Sequence, residues 1–188
     1  MASAPISVSK EKVAKPPLSI HKMGDRVLRQ DAKRVSQVND DIRQLVRHML
    51  QTMYSADGIG LAAPQVGVHK RLIVVDPEPQ EAAKPPLVLI NPEIRGYSNT
   101  ITLAQEGCLS IPDVYLDVKR PEAIEVTYKD ERGRPHRVKM GGLAARVVQH
   151  EIDHLEGVLF VDRVENAVLR DRELKQYGFN SRDVIPLT

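Results

Sequence analysis

His150-Glu151-Ile152-Asp153-His154 constrains this chain more than any other segment. Two histidines four residues apart project from one face of a helix and can grip a single ion, with a carboxylate set between them. On a helix running from about Leu143 to Glu156, the positions Leu143, Val147, His150 and His154 fall within about 60° of one another. Val148, Ile152 and Leu155 form a second apolar flank. A helix apolar round most of its girth belongs at the centre of a fold, so the histidines continue an inward-facing stripe. Two buried histidines can also merely satisfy core hydrogen bonds, but the pair with its intervening Glu favours metal.

The pattern supplies two ligands, and a catalytic site needs a third plus an open position. A third His three residues beyond Gly157 would give one protease class, but that position is Phe160. Glu165 or Glu173 from a following helix would give a thermolysin-like set and an endopeptidase. Cys108, the single thiol of the chain, is the stronger candidate: a thiolate with two imidazoles suits zinc or iron(II). A lone Cys is otherwise a small buried hydrophobe or a nucleophile, and a closed structural zinc would need a fourth protein ligand. Glu106 is expected to anchor its strand through a basic partner such as Arg120.

A third string, Gly58-Ile59-Gly60-Leu61-Ala62-Ala63-Pro64-Gln65, begins like a dinucleotide fingerprint. Its last required glycine is Ala63, however, and a helix rather than a strand precedes it. It reads either as a flexible loop or as a substrate-facing edge with Gln65 as a neutral oxyanion donor.

The remaining pattern is that of an α+β domain, antiparallel sheets packed around the central helix. A helix is predicted over Val38 to Tyr54, strands at Leu72–Val75, Leu87–Ile90 (stopping at Asn91-Pro92), Tyr115–Lys119, Ala123–Tyr128 and Pro135–Met140, and a last helix from Glu165 to Tyr177. Residues 76–86 read as a loop. Residues 1–18, rich in Ser, Ala, Lys and Pro, read as a flexible arm before a single domain at 19–188. The net charge of +2 argues against a dedicated DNA- or membrane-surface protein. One cysteine fits a reducing compartment, and no apolar run reaches the roughly 18 residues that span a bilayer.

Together and in this order, Gly58–Gln65, Glu106–Ser110 and Gln149–Gly157 resemble the three motifs of peptide deformylase. The likeness runs over roughly residues 19–175, and Ile20–Asp25 with Gly60–Gln65 resembles the type I branch of bacteria and plastids. The resemblance implies a hydrolase that removes the formyl group from N-formylmethionyl peptides and releases formate. It implies one ion on Cys108, His150 and His154, natively iron(II) and replaceable by zinc, nickel or cobalt. It implies Glu151 as general base and acid, with Gln65 and the Leu109 N–H as oxyanion hole. Gly60 would meet the substrate backbone, and Ile59, Leu143 and Val147 would line the methionine pocket. Arg146 lies in the same region, its stem against methionine and its guanidinium in solvent. A monomer in the bacterial cytoplasm, or alternatively in a plastid, is expected. The ribosome is an implied partner through the basic C-terminal helix.

Overall fold

Both faces of the central strands are covered, and this decides the architecture. In the computed structural model, which describes residues 6–187, Leu72-Ile73-Val74-Val75 is wholly buried. Leu72 and Val74 point one way, into a cluster with Val46, Met49, Leu50 and Met53 of helix α1 (Asp40–Ser55). Ile73 and Val75 point the other way, against Ala145, Val148 and Ile152 of helix α2 (Gly142–Leu155). A strand buried on both faces cannot alternate apolar with polar, hence its unbroken aliphatic run.

Strands β1 (Gly60–Ala62), β2 (Leu72–Val75), β3 (Leu87–Tyr97), β6 (Ala123–Lys129) and β7 (Pro135–Gly141) form one antiparallel sheet in the order β1-β2-β3-β6-β7. Strands β4 (Ile101–Cys108) and β5 (Ile111–Pro121) form a separate antiparallel pair. Inward residues of β5 (Val114, Leu116 and Val118) join Leu159, Phe160 and Leu174 in a third cluster, the last from helix α3 (Ala167–Gln176). The expected α+β arrangement around the central helix is what is found.

The differences from expectation have local causes. β3 does not stop at Asn91-Pro92 but runs on to Tyr97. Asn91 takes φ +53° and its side chain pairs with Val35 in both directions, at 2.8 and 2.9 Å. The ladder register shifts between Ile90 and Glu93, which accommodates a proline that has no N–H to give. β4 carries no clear aliphatic alternation and was not expected. It is held by its pairing with β5, which itself is longer than its predicted core of Tyr115–Lys119. The last helix starts later than Glu165, at Ala167, because the Asn166 side chain accepts the Leu169 N–H at 3.0 Å.

The β6–β7 turn is built on one carboxylate. Asp130 accepts the N–H groups of Arg132 and Arg134 at 2.9 Å each, the Arg134 guanidinium at 2.8 Å and the His136 ring at 2.9 Å. Burial works to raise its pKa, but the bonds from His136, Arg134 and Arg132 outweigh it and hold the carboxyl well below the usual range. With the folded pKa below the unfolded value of 3.8, the stabilisation is complete above that pH and fades as pH falls towards the folded value. Asp130→Asn is expected to cost about 2 kcal/mol at neutral pH, and urea titrations should show the gap to the parent closing below pH 3.8.

Residues 6–18, expected to be a flexible arm, lie along the body without forming a helix or strand. Ile6 is buried in the α1 cluster. Lys10 Nζ is 2.7 Å from Asp76 Oδ2 and also donates to the carbonyls of Glu81 and Lys84, at 2.9 and 2.8 Å. Asp76 is 1% exposed and also accepts the Tyr54 hydroxyl at 2.7 Å. The arm thus carries the cation for an interior carboxylate, and partners removed from such pairs are costly. Lys10→Met is expected to destabilise the fold by about 3 kcal/mol, seen as a lower urea midpoint; an unchanged midpoint would contradict this role.

Candidate active site

Helix α2 begins at Gly141-Gly142 and carries every residue from Ala145 to Leu155 into the interior. The girth is less apolar than the sequence suggested. Arg146, Gln149, Glu151 and Asp153 are buried too, and all but Glu151 have hydrogen-bond partners.

Cys108 closes β4 just where its register with β5 shifts, between Glu106 and Cys108. Its Sγ lies 3.3 Å from His154 Nε2, and the ligand atoms of Cys108, His150 and His154 all lie within 4.8 Å of one another. Such a set can reach one ion with bonds of about 2.0–2.3 Å, and three protein ligands are the number of a catalytic rather than a closed structural site. The sulfur also receives the Ser110 N–H at 3.4 Å and faces Gln65 Nε2 at 3.6 Å.

The two imidazoles are held differently. His150 Nδ1 is 3.0 Å from Glu106 Oε2, which leaves Nε2 for the centre. Burial opposes charge on this ring, yet Cys108 and Glu106 prevail and raise its pKa. Burial, together with neighbouring His150, pushes His154 down. Its Nδ1 is buried without a hydrogen-bond partner among the described residues. Glu106 does more than anchor its strand. Arg120 grips both its oxygens, at 2.6 and 2.9 Å, and Arg146 adds a bond at 2.8 Å. Burial would raise the Glu106 pKa, but His150 and Arg120 hold it far below the usual range.

Glu151 is 4% exposed, and its Oε2 has no hydrogen-bond partner among the described residues. Burial pushes its carboxyl up to about 7. Its other oxygen lies over Gly60, where an added Cβ would stand 2.4 Å from it. Only glycine permits that approach, which ties the glycine string to the helix. Gln65, 1% exposed, is fixed at both ends of its amide: Oε1 accepts the Ala62 N–H at 2.8 Å and Nε2 donates to Ser110 Oγ at 3.1 Å.

Glu106, Cys108, His150 and Glu151 line a cleft of about 750 Å3 that also takes in Ile59, Gly60, Leu109, Leu143, Arg146 and Val147. Val147 is buried, Ile59 half-buried, and Leu143 stands exposed at the rim. Arg146 departs from expectation. Its guanidinium does not reach solvent but bonds Glu106, the Val118 carbonyl at 2.9 Å, and the carbonyl and hydroxyl of Thr102 at 2.8 and 3.0 Å. A counter-ion and three neutral acceptors replace its water. The thermolysin-like alternative fails on position: Glu165 pairs with Lys119 at 2.9 Å and Glu173 with Arg172 at 3.2 Å, both away from the cluster. Reading single strings missed Lys22, whose Nζ holds the Leu109 carbonyl at 2.7 Å, and Ser110, which bonds both Gln65 and Cys108. Both stand within strings that carry the resemblance, Ser110 in Glu106–Ser110 and Lys22 in Ile20–Asp25, but nothing in either string signals these contacts.

A sequence-family model described as polypeptide deformylase matches residues 17–169. The chain belongs to the peptide deformylase family. It is 61% identical over 182 residues to the peptide deformylase of Microchaete diplosiphon, covering 97% of each chain. Peptide deformylase 1 of Nostoc sp. is 60% identical, again with 97% of each covered. Among solved structures, a Synechococcus elongatus peptide deformylase in complex with actinonin superposes with a TM-score of 0.97 at 60% identity, covering 98% of this chain and 100% of that one. A peptide deformylase of Arabidopsis thaliana gives 0.79 at 37% identity, with 85% and 87% covered. Peptide deformylases are metal-dependent hydrolases that remove the N-formyl group from the N-terminal methionine of new polypeptides, and this chain is one of them. The triad of Cys108, His150 and His154 is its candidate metal centre. No described helix is long and apolar enough to cross a membrane.

Proposed function

We propose that Glu151 is the general base and acid of deformylation, working beside an iron(II) ion on Cys108, His150 and His154. The observation that carries this is the buried, unpartnered Glu151 oxygen, on a residue that lines the same cleft as Cys108 and His150. Zinc, nickel or cobalt would fit the same donors. A divalent ion held there supplies Lewis acidity, lowering the pKa of a nearby water and polarising the formyl oxygen. Glu151 takes a proton from water as the water attacks the formyl carbon, then hands it to the departing amine. A carboxyl whose pKa lies near 7 is suited to both tasks. Gln65 Nε2 and the Leu109 N–H donate to the oxygen that becomes negative. Gly60 lies against the substrate backbone. Ile59, Leu143, Val147 and the Arg146 stem wall the methionine side chain.

Formate release from a formyl-Met-Ala-Ser peptide, without internal cleavage, tests the activity and its specificity together. Gln65→Ala should lower kcat by roughly 10²–10³-fold with metal content unchanged. A full kcat in that variant would remove Gln65 from the oxyanion site. The exposed basic residues Arg172 and Lys175 of α3 support ribosome docking in the bacterial cytoplasm, which co-sedimentation with ribosomes tests. A monomeric enzyme is the matching expectation for light scattering.

A further inference from the structure

Behind α2, away from the substrate cleft, a second cavity of about 510 Å3 is bordered by Tyr97, Lys119, Arg120, Asp153 and Arg163. A chain of ion pairs starts there and ends on a metal ligand. Arg163 grips Asp153 through two bonds of 2.6 Å. Asp153 Oδ2 accepts Arg120 Nη1 at 2.8 Å, and the other edge of the Arg120 guanidinium holds both oxygens of Glu106. Glu106 Oε2 meets His150 Nδ1. Side-chain exposure rises along the series outward: 3% for Arg120, 8% for Asp153 and 36% for Arg163.

A guanidinium is a rigid planar fork, so the carboxylate on one edge fixes the plane that meets the carboxylate on the other. Asp153 thereby sets how Arg120 presents to Glu106, and Glu106 sets the orientation of the His150 ring. The charges alternate in sign, and in a poorly screened interior each one balances its neighbours. Without Asp153, Arg120 would draw on Glu106 alone, which already takes a bond from Arg146, and weaken it as an acceptor for the His150 N–H.

We propose that Asp153 and Arg163 are positioning residues for deformylation, acting from the far side of α2 through Arg120 and Glu106 to hold His150 as a ligand. The proposal rests on the reading that Cys108, His150 and His154 hold the ion.

The test is cobalt(II) binding by the purified full chain, measured by chelator competition and by visible absorption. Asp153→Asn and Arg163→Met should each weaken cobalt binding about tenfold or more and shift its absorption, with Arg163→Lys recovering part of both. Lys10→Met, a distant destabilising change, should leave cobalt affinity and spectrum as in the parent. Parental affinity and spectrum in Asp153→Asn and Arg163→Met would overturn the proposal. So would equal weakening in Lys10→Met, which would assign the effect to general stability. Should Asp153→Asn not fold, the more exposed Arg163 pair carries the same contrast. Cys108→Ala separates the two readings: if it abolishes cobalt binding while the Arg163 variants match the parent, the ligand set stands and the positioning chain falls. Undiminished cobalt binding in Cys108→Ala would bring both down.

Discussion

Glu151→Gln is expected to keep the fold and the metal while losing turnover by roughly 10³-fold. The substitution is nearly isosteric, so the space over Gly60 stays filled and the packing against Val147 is undisturbed. It removes the one group in the cleft that combines burial with a free carboxylate oxygen and a pKa moved up to about 7. An amide there can donate and accept hydrogen bonds but cannot carry a proton from water to a leaving amine. The fall should appear in kcat with KM little changed, because Glu151 is asked to act in the transition state rather than in ground-state binding. Metal content by elemental analysis should match the parent. Turnover within tenfold of the parent, with metal retained, would take the proton-transfer role away from Glu151.

What could be read beforehand depended on whether the information was local. The His150–His154 spacing is set by helical geometry, so its face and its burial were legible. The same holds for β2, whose four aliphatic residues announce a strand covered on both sides. β4 was not legible, since its partner β5 is what makes it a strand. Arg146 shows the limit most clearly. From sequence, an arginine on a pocket-facing helix position sends its charge to water; in the fold, Glu106 lies forty residues earlier in sequence and within 2.8 Å. Asp153 is similar: its neighbours in sequence give no hint of Arg120 or Arg163. Buried charge networks are set by long-range pairing, which periodicity does not encode.

Cys108→Ala is expected to remove metal binding almost entirely and to take activity with it. The two imidazoles left behind cannot complete the three-ligand set, and the thiolate is the only charged donor among the three. The lost sulfur also strips Ser110 N–H and Gln65 Nε2 of an acceptor, so the oxyanion side of the cleft loses an anchor together with the centre. Ligand binding to the folded state raises stability in proportion to the logarithm of free ligand over Kd. Added zinc should therefore raise the Tm of the parent and leave that of Cys108→Ala unmoved. Cobalt should give the parent a sulfur-to-metal charge-transfer band that the variant lacks. The iron(II) form of the parent should lose activity in air faster than a nickel form, because a thiolate bound beside a redox-active ion is open to oxidation. A Cys108→Ala protein that still binds zinc and releases formate would make the thiol a bystander. The ion would then have to be sought on other partners of His150 and His154.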